Sequence, residues 1–246
     1  MKIVLKIERF NPEIDKEHRF QEYVVEVAPT DRLLDALIQI KQFQDGTLGF
    51  RKSCAHGVCG SDAMRINGKD GLACKTLIQD IADTDGAEIE IRPLQNLPVQ
   101  RDLIVDQKEF FSRYRSVQPF LINNEPVPEK ERHQSPEERK KFDDATNCIL
   151  CASCFSACPI PEKNKKFLGP AALVQSFRFI ADSRDKGFKN RLPELDNPDG
   201  AWACQNHFKC TQACPRYIKI TKRINQTKKM IRDHRDAREE SVNDGA

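Results

Sequence analysis

The stretch Cys148-Ile149-Leu150-Cys151-Ala152-Ser153-Cys154-Phe155-Ser156-Ala157-Cys158-Pro159 reads C-x2-C-x2-C-x3-C-P. That is the spacing of thiolates that wrap an iron–sulfur cubane, in which three close cysteines hold one cluster and the fourth reaches a second. A related stretch, Cys204-x5-Cys210-x3-Cys214-Pro215, fits the same template with His207 where the middle cysteine would stand. The crossing rule then gives Cys148, Cys151, Cys154 and Cys214 to one four-thiolate [4Fe–4S] site. Cys158, Cys204 and Cys210 are left as three thiolates for the other. A cubane lacking its fourth ligand readily loses that corner iron, so [3Fe–4S] is the expected occupant. A nitrogen of His207 holding a fourth iron ranks below it. Zinc takes four ligands tetrahedrally, usually from separated cysteine pairs, and fits these runs poorly.

The remaining cysteines form an earlier group. Cys54-x4-Cys59-x2-Asp62, followed by Cys74, matches the plant-type ferredoxin pattern C-x4-C-x2-C…C for [2Fe–2S], with Asp62 at the third position. A carboxylate can ligate iron, and its oxygen would shift the potential relative to a thiolate. As a loop residue alone, Asp62 would be a solvated turn carboxylate; its place in the pattern favours ligation. Gly57 and Gly60 let the loop fold tightly and bring backbone N–H groups toward the cluster. Ten cysteines and Asp62 divide as four, four and three donors with none left over.

Composition narrows the setting. Hydrophobic residues make up 39% and charged residues 31% of 246, as in a soluble globular chain, and no apolar run is long enough to cross a bilayer. A net charge of +3 gives no global support for nucleic acid binding. Met1 to Lys6 alternates like a strand and lacks signal or transit character, so a cytoplasmic address is expected. In that reducing compartment clustered cysteines bind metal or do redox chemistry rather than form disulfides.

The elements that must position these donors change character along the chain. Lys2 to Phe10, Glu22 to Val27 and Ala87 to Leu94 alternate as half-buried strands do. Thr30 and Asp31 are expected to cap a helix carrying Leu33, Leu34, Ala36, Leu37 and Ile40 on one face. Ala63 to Ile66 meets the hairpin signal Asn67-Gly68. Later segments read as helices: Asp106 to Tyr114, a stretch entered at Ser135-Pro136-Glu137-Glu138 and leading to Cys148, Ala171 to Ala181 after Gly169-Pro170, and a basic helix from Arg216 to Glu240. Asn123 to Ser135 reads as an exposed connection. The expected fold class is α+β: an N-terminal β-grasp plant-type ferredoxin domain over 1–103, then an all-α bacterial-ferredoxin-like domain over 104–246.

Together with Pro98-Val99-x-Arg101-Asp102-Leu103, Phe167-x-Gly169-Pro170-Ala171-Ala172 and Asp182-Ser183-Arg184-Asp185, these motifs span nearly the whole chain. The sequence resembles the iron–sulfur subunits of succinate dehydrogenases and fumarate reductases. The resemblance implies a partner flavoprotein, carrying FAD, that interconverts succinate and fumarate. It also implies a membrane anchor with quinone, and electrons passing among flavin, [2Fe–2S], [4Fe–4S], [3Fe–4S] and quinone. The chain would sit peripherally on the cytoplasmic side of the inner membrane and make no bond in the substrate itself. Trp202, His207 and Lys228 stand where quinone contacts are implied; packing ranks at least as high for Trp202, and for Lys228 a solvated helix face ranks first, contact with an anchor subunit or anionic headgroups second and quinone third. Pro159 to Asn164 lacks the tryptophan that succinate dehydrogenases of this kind often carry, and Trp202 lies two residues before Cys204, as in some menaquinol-linked fumarate reductases; this resemblance implies a lean toward menaquinol and fumarate reduction. The competing readings are an iron–sulfur subunit of another flavoprotein complex and a zinc-stabilised interaction module.

Overall fold

The computed structural model describes residues 1–243, with side chains to residue 240. The chain divides into two compact units. One comprises Met1–Glu109, Ile149–Ala157 and Ala213–Pro215; the other comprises Phe110–Cys148, Cys158–Gln212 and the residues from Arg216 onward. The first unit therefore runs past residue 103 and takes in parts of both later cysteine runs.

In the first unit, β1 (Lys2–Arg9) pairs antiparallel with β2 (Arg19–Glu26). Helix α1 (Leu33–Phe43) follows, then the hairpin β3 (Ala63–Ile66) and β4 (Lys69–Leu72), and finally β5 (Ala87–Arg92), parallel to β1. The sheet order is β2-β1-β5-β3-β4, the β-grasp arrangement. Period-two alternation sends Ile3, Leu5 and Ile7 inward with Ile89 and Ile91, and the apolar stripe of α1 is buried as well. Asn67 and Gly68 have φ of 47° and 75°, as a two-residue I′ turn requires. The helix cap differs from expectation. Arg32 is the N-cap, with Asp35 accepting its N–H at 3.2 Å, while Asp31 accepts the Ala28 N–H at 2.8 Å and closes the turn after β2.

The last inward position of β1 is a charge. Arg9 is buried, and its guanidinium reaches Asp102 at 3.0 Å, Asp45 at 2.6 Å, Thr47 at 3.0 Å and the hydroxyl of Tyr23. Against the cost of burial, Thr47, Tyr23 and Arg9 hold Asp45 below the usual carboxylate range. Asp102 follows β6 (Val99–Arg101), which pairs with β7 (Ile104–Val105). Besides Arg9, its carboxylate accepts the N–H of Phe10 at 3.0 Å and of Gly49 at 2.7 Å. The Pro98–Leu103 motif thus ties the end of β1 to the loop after α1.

The second unit is helical. Its elements begin with α2 (Lys108–Ser116), whose first two residues belong to the first unit, and α3 (Pro136–Lys140). Ser135 accepts the Glu138 N–H at 3.2 Å and Glu138 returns to the Ser135 N–H at 2.7 Å, so the capping box forms as expected. The helix lasts only five residues, and a 3-10 turn over Asp143–Asn147 completes the approach to Cys148. Short helices α4 (Ser153–Ser156) and α5 (Ile160–Lys163) precede α6 (Pro170–Ile180); α4 itself belongs to the first unit. Gly169 enters α6 at φ 92°, a conformation closed to side-chain-bearing residues, and every residue from Pro170 to Phe177 is buried.

Helices α7 (Phe188–Leu195), α8 (Lys209–Gln212) and α9 (Ile220–Asn243) complete the unit. The basic last helix starts four residues later than expected, because Tyr217 has φ 57° and cannot lie inside a helix. It buries Thr221, Ile224, Thr227 and Ile231 at helical spacing. Arg191 is wholly buried; it pairs with Asp185 at 2.8 Å and donates to the carbonyls of Val117, Gln118 and Phe120. Among the described residues, no helix is long and apolar enough to cross a membrane.

Asp102→Ala removes one partner of a buried ion pair and orphans two backbone donors. A loss of about 3–5 kcal/mol is expected, read as a lower denaturation midpoint of the cluster-loaded protein.

Candidate iron–sulfur centres

The loop from Cys54 to Asp62 bridges α1 and β3. Ala55, Gly57 and Gly60 adopt left-handed φ of 58°, 71° and 70°, curling the backbone around Cys54. The N–H groups of His56 and Cys59 reach its sulfur at 3.4 and 3.3 Å. With the Val58 N–H they lower the Cys54 thiol to about 6, favouring the thiolate that binds iron. Arg32 donates to the Ala55 carbonyl at 3.0 Å, so the start of α1 anchors the loop. A side chain at Gly57 would place Cβ 2.7 Å from Lys75.

Asp62 and Cys74 are buried together. One carboxylate oxygen of Asp62 accepts the Cys74 N–H at 2.5 Å, and the other, Oδ1, is buried without a hydrogen-bond partner. Burial and Asp62 push the Cys74 thiol up to about 12. A buried, unpartnered carboxylate oxygen beside a thiol that resists ionising is costly as it stands. Bound iron cations would relieve both, so the donor set fits a [2Fe–2S] centre.

The two later cysteine runs repeat each other at a spacing of 56 residues, Cys148 to Cys204. Leu150 and Asn206 both lie in the left-handed region, φ 55° and 59°, as do Ala152 and Phe208, φ 66° and 62°. Helix α4 starts one residue after Ala152 and α8 one residue after Phe208. The N–H of Phe155 returns to Ala152 O and that of Thr211 to Phe208 O, both at 2.9 Å. His207 therefore occupies the backbone position of Cys151. Asn tolerates this conformation, but the left-handed Leu150, Ala152 and Phe208 carried no signal in their residue types.

Cys151, Cys154 and Cys214 lie in segments of the first unit, and Cys148 ends a segment of the second. Gly60 abuts the first of these, since a Cβ there would fall 2.7 Å from Cys151 Cβ. Within the second unit, Cys158, Cys204 and Cys210 line one pocket with His207, Phe167 and Ile224. Burial pushes Cys158 up to about 11, with Cys210 and Cys204 adding to it. Burial likewise raises Cys210, which lies 3.6 Å from the Thr221 hydroxyl on α9. Among the described residues, no three His, Cys, Asp or Glu side chains form a site for a single metal ion.

Trp202 is half-buried. Its indole N–H donates to Asp196 at 2.7 Å, and Arg232 and Arg235 lie over its ring at 5.8 and 5.4 Å. Lys228 is not simply a solvated charge, for its ammonium donates to the Cys204 carbonyl at 2.7 Å. His207 is exposed and lies 3.2 Å from Gln205 Oε1.

Residues 4–112 match the model of a 2Fe-2S iron-sulfur cluster binding domain, and residues 140–215 that of a 4Fe-4S dicluster domain. The chain is 44% identical over 225 residues to the succinate dehydrogenase iron-sulfur subunit of Coxiella burnetii, covering 90% of this chain and 94% of that one. It is 41% identical over 219 residues to the fumarate reductase iron-sulfur subunit of Mycobacterium tuberculosis, covering 88% and 87%. The solved Mycobacterium smegmatis Sdh1 complex in the apo form superposes with a TM-score of 0.84 at 25% identity, over 95% of this chain and 96% of that one. Fold and motifs define a two-domain iron–sulfur protein that carries electrons within an oxidoreductase complex. The chain belongs to the family of succinate dehydrogenase and fumarate reductase iron–sulfur subunits.

Gly60→Ala places a Cβ on a left-handed residue, at a cost of about 1–2 kcal/mol, and drives it into Cys151. The variant is expected to melt earlier and to retain less iron and sulfide per chain than the native protein.

Proposed function

We propose that the chain carries electrons between a flavoprotein subunit, whose FAD interconverts succinate and fumarate, and a quinone held at a membrane anchor. The carrying observation is the pocket of the second unit, where Cys158, Cys204 and Cys210 converge and exposed His207 takes the place of a fourth thiol. Such a site holds [3Fe–4S]. Cys148, Cys151, Cys154 and Cys214 hold [4Fe–4S], and Cys54, Cys59, Asp62 and Cys74 hold [2Fe–2S]. When bound, these groups supply one-electron carriers spanning a range of potentials.

The chain's own residues present and tune them. The exposed Val58–Cys59 end of the first loop suits exchange with the flavoprotein. Exposed Phe208 and His207 suit a quinone beside the three-thiol pocket. Lys228 brings a positive charge to the Cys204 backbone and would favour added electrons there. The indole N–H of Trp202 is occupied by Asp196, leaving its ring edge for the quinone. The exposed Lys222, Lys229 and Arg232 of α9 suit anionic headgroups on the cytoplasmic side of the inner membrane. Trp202 before Cys204, with no aromatic residue in 159–164, favours menaquinol and fumarate reduction.

Electron paramagnetic resonance with iron and sulfide assays tests this reading. The oxidised protein should show a near-isotropic three-iron signal, and the dithionite-reduced protein a [2Fe–2S] signal. Zinc in place of iron and silence in both states, from protein prepared without air, would sink it. His207→Cys should convert the three-iron signal toward a four-iron one; an unchanged signal would remove residue 207 from the vacant corner. Asp62→Cys should keep the [2Fe–2S] centre at an altered potential, whereas an identical spectrum and potential would strike Asp62 from the ligands.

A further inference from the structure

Asp70 lies on β4, half-buried, in register with Arg65 of β3. Its carboxylate accepts a hydrogen bond from the hydroxyl of Ser156, a buried residue of α4. Ser156 Oγ also accepts the Gln95 N–H at 2.8 Å, so its single proton is committed to Asp70. Asn96 donates to the carbonyls of Phe155 and Ser156 at 3.2 and 3.1 Å, closing the end of α4. These contacts fix one short segment: Ser156 stands two residues after Cys154 and two before Cys158.

Few charges face Asp70. Arg65 stands across the hairpin but donates to the Gly68 carbonyl at 2.9 Å, and its Nε is buried without a partner. Beyond it on β5, Glu90 and Arg92 pair with each other at 2.7 Å. Lys69, the neighbour on β4, is exposed, and α4 contributes no charged side chain, only the Cys154 thiol. Burial raises the Asp70 carboxyl from its usual range, against the opposing pull of Ser156 and Arg65. A half-buried carboxyl with one hydroxyl donor and no direct ion pair is poised to change protonation when the charge beside it changes.

We propose that Asp70 is the proton-linked group of the four-iron site, taking up one proton when that site takes up one electron. This rests on the ligand assignment proposed above. The step balances: one electron arrives from the neighbouring carriers, one O–H bond of a solvent hydronium ion breaks to leave water, and one O–H bond forms on the Asp70 carboxylate. Ser156 transmits the linkage, because its hydroxyl is fixed between the carboxylate and the cysteine-bearing segment.

The test is a potentiometric titration of the cluster-loaded complex followed by electron paramagnetic resonance across pH. In the native protein the four-iron midpoint should fall as pH rises, by up to about 59 mV for each tenfold drop in protons. Asp70→Asn should flatten that slope and raise the midpoint on the alkaline side, with a smaller change at the two-iron centre. Ser156→Ala keeps the carboxyl but removes its donor, and should move the slope to higher pH. Infrared difference spectra should show a protonated carboxyl appearing on reduction, absent in Asp70→Asn. A flat native profile, or equal slopes in native and Asp70→Asn proteins, would overturn the proposal and leave the ligand assignment standing. Absence of any four-iron signal would overturn both.

Discussion

Three of the cysteines proposed to bind iron are placed where burial disfavours the thiolate that iron needs. Cys74 and Cys158 are pushed up to about 12 and 11, and Cys210 is raised too. Asp62 keeps a buried oxygen with no donor. A bound cation would favour the thiolates over the buried thiols and take up the unpartnered Asp62 oxygen, so cluster insertion would couple to folding. Cys54 contrasts with these three, since backbone N–H groups of His56, Cys59 and Val58 lower its thiol to about 6.

The rest of the architecture holds backbone in conformations that the donors need and residue preferences resist. Left-handed residues flank Cys151 and His207, and such positions cost energy unless neighbours enforce them. Elsewhere the fold is held by buried polar clamps as well as by apolar packing. Arg9 with Asp102 ties β1 to the loop after α1, and Arg191 gathers three carbonyls near the end of α2. Both clamps belong to polar motifs, Pro98–Leu103 and Asp182–Asp185, whose purpose becomes visible only once the partners are seen.

Much of this was legible in the sequence, for identifiable reasons. Period-two alternation in β1 and β5 and the Asn67-Gly68 turn are local signals, and local physics decides them. The cysteine spacings are legible because a cluster restricts how far apart its ligands can be. What escaped depended on distant partners. Thr30 and Asp31 were the expected caps for α1, yet Asp31 closes the preceding turn and Arg32 takes the cap position. The expected helix into Cys148 breaks after Lys140, and the last helix is delayed to Ile220 by a left-handed Tyr217. Lys228 read as one charge among many until its contact with the Cys204 carbonyl set it apart.

The repeat over 56 residues separates the path of the main chain from the identity of one donor. Two segments share their left-handed positions, helix starts and trailing Cys-Pro, yet differ in one donor. The left-handed turns and helix starts form equally around Cys151 and around His207, so the cradle does not depend on the fourth thiol. A change in the number of iron atoms held there would therefore need the loss of one side chain and no new fold.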